Sequence, residues 1–350
     1  MLVVAGCGAA GAEFVRHFGG DVTVVSPSPL LVCQALLPAY VAGNVEEEEL
    51  SINLKPFFRE RGVVYRRGEV KFIKLKCNTL FSNYKTLRGI SYDFAVIAVG
   101  GESCYYGVDC RNCLSVNTLE DARVARERVS AGGKVVVVGS GMTGVETAYE
   151  LSDLCRVTLV EAQSRILPAM GEKASVYVRK LLERKGVKVL TSCRVEDVSY
   201  EESVVKSSCG ELGFDEVVWC AGIRGREISG LDYGKLGIKV DESLRAYENV
   251  FAIGDCAEVV VKGEVATKTA LEAERQAKFV AKTISRMLKS EKIGLNTYVP
   301  FSTNKRPFAI LTFGEKGLIV RGNTVIASPS NLIYKLKRMI VKRFLKNFIV

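Results

Sequence analysis

The sequence predicts an α/β protein with two Rossmann-like dinucleotide-binding domains. Two Gly-x-Gly-x-x-Gly segments, starting at Gly6 and at Gly139, each follow a short apolar run and open a helical pattern. The glycines of such a turn let the backbone approach a pyrophosphate, and the N-terminus of the helix offers it N–H groups and partial positive charge. The order of strands that follows the first segment recurs after the second, which indicates an internal duplication.

Length, composition and charge narrow the classes of function. The 350 residues exceed what one core usually supports, and 48% hydrophobic with 25% charged residues is a globular composition. His17 is the single histidine, which excludes histidine-based metal sites, and we predict no metal centre. Six of the ten excess positive charges lie in residues 331–350, which contain no acid. We therefore expect a local basic tail and no nucleic-acid partner.

The first unit begins at the N-terminus. We predict a strand at residues 2–5, a helix that ends near Phe18 and a second strand at residues 22–25. Residues 62–83 alternate apolar and polar side chains like a small meander. Residues 92–101 read as a buried strand that ends in glycines.

The second unit repeats this order. We predict a strand at residues 135–138, a helix through Leu151 and a strand at residues 156–160 that ends at Glu161. The further strands are 187–190, 203–207 and 216–220, the last closed by a turn at Gly222. The repeated order favours two dinucleotide sites over two chance glycine turns.

One acidic position separates the two units. An acid about twenty residues after the first glycine usually binds the ribose hydroxyls, and the second unit has Glu161 there. A carboxylate at this place would repel a 2′-phosphate, so we expect NADH to be preferred over NADPH. The first unit has Ser26 instead, so a neutral hydroxyl or the backbone would have to hold its ribose.

A late Gly-Asp motif completes the pattern. Residues 249–253 read as a strand that runs into Gly254 and Asp255, and a helix follows at about 267–289. Together with the two glycine segments, this motif resembles the pyridine nucleotide-disulfide oxidoreductases, the flavoproteins that bind two dinucleotides, over almost the whole chain. The resemblance implies that the first site binds FAD and that the second domain, inserted in the first, binds NADH. Asp255 would bond the FAD ribityl chain.

The resemblance also implies domain limits and contact residues. The FAD-binding domain would comprise 1–110 and 245–292, the NADH-binding domain 111–244, and a C-terminal membrane-associating region 293–350. The implied FAD contacts are Gly6, Gly8, Ala9, Ala10, Gly11, Ser26, Pro38, Val70, Gly100, Gly254, Asp255, Thr269 and Ala270. The implied NADH contacts are Gly139, Gly141, Met142, Thr143, Gly144, Glu161 and Gly222.

Within the family, the sequence is most similar to the type II NADH dehydrogenases. Residues 34–38, 165–168 and 219–223 match segments of that branch, whereas its Ala-Gln-x-Ala-x-Gln-Gln helix is only partly kept, with Leu271 and Arg275 replacing two glutamines. The implied activity is FAD-dependent, non-proton-pumping oxidation of NADH with electron transfer to a membrane quinone. Quinone reduction consumes protons, so a carboxylate near the flavin is useful, and we predict that Glu146 is this catalytic group. Its alternative role is that of an acid stabilising a helix N-terminus.

Other readings stay open. A sulfide:quinone oxidoreductase could use Cys104, but the chain has no cysteine after Cys256 and keeps an intact second glycine segment. A soluble NADH oxidase or rubredoxin reductase is a further alternative, and a nucleotide-sensing flavoprotein with a nucleic-acid-binding tail belongs to another class. Cys33 has no neighbouring cysteine, so a dithiol relay there is not expected. Cys110 and Cys113 form a Cys-x-x-Cys, which we interpret as two loop thiols rather than a disulfide.

The basic tail predicts the membrane partner. Residues 331–350 form an amphipathic helical pattern with one apolar face and an opposite basic face. The apolar set is Ile333, Leu336, Ile340, Val341, Phe344 and Phe348, and the basic set is Lys335, Arg338, Lys342, Arg343 and Lys346. We expect this helix to lie in the membrane plane on the cytoplasmic side of the cell membrane, where a quinone is met. A helix docked on the core or mediating a homodimer is the alternative.

Overall fold

The computed structural model describes residues 1–84, 86–289, 297–328 and 331–350. The first part of the chain forms helices α1 (Ala9–His17), α2 (Leu37–Val41), α3 (Glu47–Leu50) and α4 (Lys55–Glu60). Its strands are β1 (Leu2–Ala5), β2 (Val22–Ser26), β3 (Leu30–Val32), β4 (Ser51–Asn53), β5 (Val64–Arg67), β6 (Val70–Lys74), β7 (Thr79–Tyr84), β8 (Thr86–Ser91), β9 (Phe94–Ile97) and β10 (Gly101–Ser103).

The middle of the chain forms a second α/β unit. Its helices are α5 (Leu119–Arg128), α6 (Met142–Leu151) and α7 (Glu172–Arg184). Its strands are β11 (Lys134–Val138), β12 (Arg156–Val160), β13 (Lys188–Leu190), β14 (Val195–Ser199), β15 (Val204–Ser207), β16 (Gly210–Gly213), β17 (Glu216–Trp219), β18 (Ile223–Gly225) and β19 (Ile238–Lys239).

The last part returns to the first unit and then adds a sheet. It comprises β20 (Arg245–Tyr247), β21 (Val250–Ala252), β22 (Ala257–Glu258), β23 (Val260–Val261), β24 (Glu264–Val265), α8 (Ala270–Leu288), β25 (Phe308–Phe313), β26 (Lys316–Arg321), β27 (Thr324–Ser328) and α9 (Leu332–Lys346).

Two parallel sheets carry the fold. The first has the strand order β20-β21-β9-β1-β2-β5, in which only β20 runs antiparallel to its neighbour. All four residues of β1 are buried, as expected of a central parallel strand covered on both faces. The second sheet, β13-β12-β11-β17, is entirely parallel. The predicted α/β fold with two dinucleotide-binding units is therefore confirmed.

The chain leaves the first sheet after β9 and rejoins it at β21, which pairs with β9 itself. The second sheet lies between these two strands in sequence, as an insertion requires. Residues 226–244 nevertheless contact the first unit, because Ile73 donates its N–H to the Ser229 carbonyl at 2.9 Å and Ile238 pairs with Ala257. The domain limit at residue 244 stays a prediction, and these contacts favour an earlier limit.

The C-terminal region is a meander that sequence reasoning did not foresee. Strands β25, β26 and β27 pair antiparallel in this order, and α9 packs across β25 and β26. Gly317 on β26 allows the close approach, since a Cβ there would overlap the Ile333 side chain. At the other end of the helix, the rings of Phe348 and Phe57 meet edge to face at 5.1 Å.

The predicted C-terminal helix is present as α9, but most of the apolar face that we expected to meet lipid packs against the protein. Ile333, Val341 and Phe348 are buried against the protein, whereas Ile340 is 46% exposed. The docking of α9 on the meander explains this outcome. Apolar side chains are stabilised by leaving water, and the meander removes them from water as lipid would. One side of α9 is therefore docked on the protein, as the alternative interpretation expected, and the other side is exposed.

Candidate active site

The first glycine segment forms a cradle at the carboxyl end of β1. A Cβ at Gly11 would overlap the Gly6 carbonyl, and Gly6 itself has a positive φ of 98°. A Cβ at Gly8 would meet open space among the described residues, at the point where α1 begins. Close backbone packing on one side and open space on the other suit a pyrophosphate on the helix N-terminus.

The carboxyl ends of the parallel strands bring the other predicted FAD residues to this edge. Ser26 ends β2, Gly100 follows β9 and Gly254 follows β21. Gly254 lies against α1, since a Cβ on it would be 2.9 Å from the Ala10 Cβ. Ligands of open α/β sheets bind at such edges.

Asp255 is held next to the start of α8. Burial raises the pKa of its carboxyl group, and the neighbouring Lys268 ammonium opposes that rise. Lys268 donates to the carbonyls of Asp255 and Ala257, and the Gly254 N–H donates to Gln276 Oε1 at 2.7 Å. Thr269 caps α8 and Ala270 is its first residue, and both follow Lys268 directly in the chain.

Two predicted FAD residues lie on other elements. Pro38 is the buried second residue of α2, and Val70 is the buried first residue of β6. Their side chains are packed in the core, and neither belongs to a strand whose carboxyl end forms the edge described above.

The second glycine segment repeats the cradle. A Cβ at Gly144 would overlap the Gly139 carbonyl, while Gly141 faces open space among the described residues at the start of α6. Met142 and Thr143 are the first two residues of that helix. Gly222 follows the adjacent strand β17, so it lies at the same edge.

Glu161 follows β12 at this edge and is buried. Its carboxylate accepts hydrogen bonds from the Ser140 N–H at 2.9 Å, the Ser140 hydroxyl at 2.6 Å and the Gln163 N–H at 2.8 Å. These bonds fix the carboxylate beside the glycine turn. A carboxylate can accept further hydrogen bonds, so a ribose diol can still be bound.

Sequence reasoning missed Tyr106. The position of a Cβ on Gly222 would be 3.1 Å from the Tyr106 hydroxyl, and the Cys104 N–H donates to the Gly222 carbonyl at 3.0 Å. Partial desolvation raises the pKa of the phenol of Tyr106, a residue that is 72% exposed, and the neighbouring Cys104 adds to this rise. Tyr106 also has a positive φ of 52°, which would have been visible only in the folded chain.

The interpretation of Cys110 and Cys113 as two loop thiols is wrong. The structure joins them in a disulfide. A turn in which the Cys113 N–H donates to the Cys110 carbonyl brings their Cα atoms to 5.0 Å, within the range that a disulfide spans. Cys33, by contrast, is a buried free thiol, and burial raises its pKa to about 12, which makes it a poor nucleophile.

Glu146 lies in a buried cluster rather than at a helix terminus. It is the fifth residue of α6, so it stands beyond the first turn in which it was expected. Its carboxylate accepts from the Lys337 ammonium at 2.6 Å, the Thr312 N–H at 2.6 Å and the Thr312 hydroxyl at 3.1 Å. Glu146 thus joins the second glycine unit to β25 and α9. The role as a stabiliser of the helix N-terminus does not fit this position.

Lys337 and Glu150 are functional candidates that the sequence analysis overlooked. Lys337 is buried on α9 in phase with Ile333 and Val341, so a lysine within an apolar helix face was the available signal. Glu150, one turn after Glu146, accepts from the Asn44 amide at 2.7 Å and from the Gly314 N–H at 3.1 Å. Burial raises the pKa of Glu150.

The departures from the type II helix motif lie on one side of α8. Arg275 places its guanidinium over the ring of Phe301 at 5.3 Å, and Leu271 is exposed. Between them, the buried Glu272 accepts from the Tyr298 hydroxyl at 2.5 Å and from the Ser302 N–H at 3.1 Å. Glu272 therefore anchors the segment that carries Phe301 to the helix.

Among the helices within residues 1–84, 86–289, 297–328 and 331–350, none combines the length and the apolar character needed to cross a bilayer.

The comparisons with known proteins agree with this geometry. Residues 1–277 match the family of pyridine nucleotide-disulphide oxidoreductases. The type II NADH:quinone oxidoreductase of Mycobacterium tuberculosis is 25% identical over 93% of this chain and 78% of its own length. An NADH oxidase of Methanocaldococcus jannaschii is 29% identical over 81% of this chain and 69% of its own length.

A solved structure extends the likeness to the C-terminal region. NDH2 from Plasmodium falciparum in complex with NADH superposes with a TM-score of 0.86, covering 99% of this chain and 97% of that one. At 16% identity this similarity concerns the fold. The meander and α9 therefore belong to the shared architecture.

Proposed function

Because the chain belongs to the pyridine nucleotide-disulphide oxidoreductase family, we propose that it is an FAD-dependent enzyme that oxidises NADH and delivers the electrons to a membrane quinone. The observation that carries this proposal is the presence of two glycine cradles at the carboxyl edges of two parallel sheets in one chain. The likeness to a type II NADH:quinone oxidoreductase over 93% of the chain supports quinone as the acceptor. The reaction is non-proton-pumping and takes place at the cytoplasmic face.

The first cradle holds FAD, which when bound supplies the hydride acceptor for NADH and the two-electron donor for quinone. Gly6, Gly8 and Gly11, with Ala9 and Ala10, contact the pyrophosphate, and Ser26 contacts the adenosine ribose. Asp255 bonds the ribityl chain, and Gly100, Gly254, Thr269 and Ala270 complete the site together with Pro38 and Val70. Ala270 presents the first N–H group of α8, whereas Thr269 is the N-cap and its own N–H donates to the Thr267 carbonyl at 3.1 Å.

The second cradle holds NADH. Gly139, Gly141 and Gly144, with Met142, Thr143 and Gly222, contact the pyrophosphate side, and Glu161 receives the ribose hydroxyls. The carboxylate of Glu161 is fixed by Ser140 and Gln163, so little ordering is needed when the cofactor binds.

Glu146 and Lys337 supply the protons that quinone reduction consumes. The pair is buried and bonded to the Thr312 hydroxyl, which gives a chain of exchangeable protons from α9 to α6. The ammonium group can donate a proton and regain one through the Thr312 hydroxyl, and the net charge of the pair changes by one unit for each proton released. Glu150 lies one turn further along α6 as a second carboxyl group near this path.

The membrane contact is made by the exposed face of α9. Leu332 and Met339 are 68% and 61% exposed, and Ile340 lies beside them. The basic side chains Lys335, Lys342, Arg343 and Lys346 are exposed around this apolar strip. An apolar strip with basic flanks suits the interface of an anionic membrane. A homodimer through the same face is the alternative occupant.

The test is NADH oxidation by the purified protein with a short-chain quinone, a long-tailed quinone in liposomes and oxygen alone. We expect bound FAD, fast reduction of both quinones and slow reduction of oxygen. A protein that purifies gently without flavin, or that does not oxidise NADH, would overturn the proposal. Sulfide as the electron donor in place of NADH tests the sulfide:quinone reading, for which we expect no activity.

An NADH oxidase is the second candidate, favoured by the relative from Methanocaldococcus jannaschii. This function predicts that oxygen alone supports turnover as fast as quinone does, and that liposomes make no difference to the rate. The same three-acceptor assay therefore distinguishes the two candidates.

A further inference from the structure

Two free thiols of the second unit face each other across a turn. Cys193 lies between β13 and β14 and is fully buried, whereas Cys209 lies in the turn between β15 and β16 and is exposed. The Cys193 thiol donates to the Ser207 hydroxyl at 3.4 Å, and the Cys209 thiol reaches the Ser192 carbonyl at 3.9 Å. Each sulfur therefore contacts the backbone or side chain next to the other.

The backbones of the two segments are joined in the same place. The Ser208 N–H donates to the Arg194 carbonyl at 2.9 Å, and the Arg194 N–H donates to the Ser208 hydroxyl at 2.9 Å. The Cys209 N–H is turned to the Ser207 hydroxyl at 3.3 Å. The two cysteines thus stand on segments that are already held together, which a new cross-link requires. A hydrogen bond with the Cys193 thiol is the largest cause of a raised pKa at Cys209, so attack by the Cys209 thiolate is favoured at alkaline pH.

We propose that Cys193 and Cys209 are a modification site, a dithiol that small-molecule disulfides oxidise to a second, reversible cross-link in this unit. The exposed Cys209 thiolate attacks one sulfur of the reagent, forming a mixed disulfide and releasing one thiolate. The Cys193 sulfur then attacks Cys209 and expels the second thiolate. Two protein thiols and one disulfide become one protein disulfide and two small thiols, so atoms and electrons balance.

The dithiol is hydrogen-bonded through its backbone to the segment that carries Glu161, at the edge of the second glycine cradle. The Cys193 N–H donates to the Glu161 carbonyl at 2.9 Å, and the Ser192 N–H donates to the Gln163 carbonyl at 2.7 Å. A cross-link at Cys193 therefore holds the segment that supports the Glu161 carboxylate. The consequence for NADH rests on the proposed function: oxidation lowers the KM for NADH and leaves kcat unchanged, because only the ordering of the site changes.

The experiment treats the full-length protein, in which Cys110 and Cys113 are already joined, with oxidised glutathione, alkylates the remaining thiols and maps the peptides. We expect one new linked peptide pair containing Cys193 and Cys209, which dithiothreitol reverses. Cys209→Ser should abolish it and leave Cys193 alkylated only after unfolding. The matched control is Cys77→Ser, which removes an exposed thiol elsewhere and should leave the cross-link intact.

Two outcomes would overturn the inference. Alkylation of both thiols after oxidation, or a Cys209 that stops at the mixed disulfide, excludes the intramolecular cross-link. A cross-link that forms while the KM for NADH changes by less than roughly twofold removes the connection to the cradle. Absence of NADH oxidation in both redox states would count against the proposed function alone, since the peptide map does not depend on turnover.

Discussion

Glu161 and Ser26 occupy equivalent places in the two copies of one unit, and they differ in charge. Each stands at the carboxyl end of the second strand of its unit, beside the glycine turn. Glu161 is buried and held by Ser140 and Gln163, so its negative charge cannot turn away from a bound nucleotide. We propose that this one residue sets the discrimination between NADH and NADPH.

Glu161→Gln should raise the kcat/KM for NADPH relative to that for NADH by about tenfold or more, because it removes repulsion of the 2′-phosphate and a charged hydrogen bond to the ribose. The ratio is measured by steady-state kinetics with both cofactors. Glu196→Gln, an exposed acid on β14, is the matched control. Equal use of both cofactors by the unaltered protein would contradict the role of Glu161.

Glu274 gives a second prediction for a single side chain. Burial raises its pKa to about 7, and the carboxylate of Glu13 adds to the rise while Arg16 opposes it. The folded protein then binds more protons than the unfolded chain between pH 4.5 and 7, so stability falls as pH increases through this window.

Glu274→Gln should therefore stabilise the protein at pH 8 by about 1–3 kcal/mol and have little effect at pH 4.5. Urea unfolding at the two pH values measures the difference. Glu60→Gln on α4 alters an exposed acid and should change neither value. An equal effect at both pH values would show that Glu274 titrates normally.

At the scale of elements, α9 is fastened to the rest of the protein by a buried charge pair. Lys337 contacts Glu146 on α6 and Thr312 on β25, and Arg338 pairs with Glu49 at the surface. Burying two charges is costly, so the pair specifies where the helix docks more than it stabilises the fold, whereas removing one partner strands the other.

Lys337→Met should destabilise the docked helix by about 3–5 kcal/mol, since it leaves Glu146 buried without its cation. Hydrogen exchange of α9 measures this loss. The double variant Glu146→Gln/Lys337→Met should recover most of it, because both charges are then removed. If the double variant recovers stability, the effect of the charge pair on the docking of α9 can be measured apart from any role of Glu146 in proton transfer.

The half-reactions then test the catalytic proposal for Glu146. In the double variant and in Glu146→Gln, stopped-flow kinetics should show nearly normal flavin reduction by NADH. Flavin reoxidation by quinone should be slower by roughly a hundredfold, as expected when an acid–base group is lost. Unchanged reoxidation would leave the pair with a structural role.

At the scale of the whole molecule, the outer face of α9 combines exposed apolar and exposed basic side chains. Deleting the residues after 330 would remove this face, but it would also remove Lys337, the partner of Glu146. A truncated protein would therefore lose membrane binding and core packing together. Substitution of exposed side chains avoids that difficulty, since Leu332 and Met339 point away from the docked face.

Leu332→Ser/Met339→Asp should release the protein from anionic liposomes and impair reduction of a long-tailed quinone, while NADH oxidation with a soluble dye persists. Each basic side chain near the surface contributes about 1 kcal/mol, so unaltered protein should bind more weakly at high salt without being released fully. Cosedimentation measures binding. Val176→Asp on α7, also an exposed apolar side chain, is the control. Retention of the double variant on liposomes would assign α9 to docking or dimerisation alone.

The two glycine cradles, most strands of both sheets, the helix of the second unit and the basic helix at the end were predictable from the sequence alone. These features depend on neighbours in sequence: glycine spacing, apolar periodicity and one acid at a fixed distance predict them because local geometry alone requires those residues. The strands of the C-terminal meander were not predicted, although its apolar runs are separated by turns at Gly314 and Gly322.

Contacts between distant segments of the chain became visible only in the folded protein. The pairing of Glu146 with Lys337, the disulfide between Cys110 and Cys113 and the division of α9 into a docked and an exposed face depend on packing between distant segments. Periodicity shows that a helix has an apolar face but not which surface covers it, since burial against protein and burial in lipid use the same side chains.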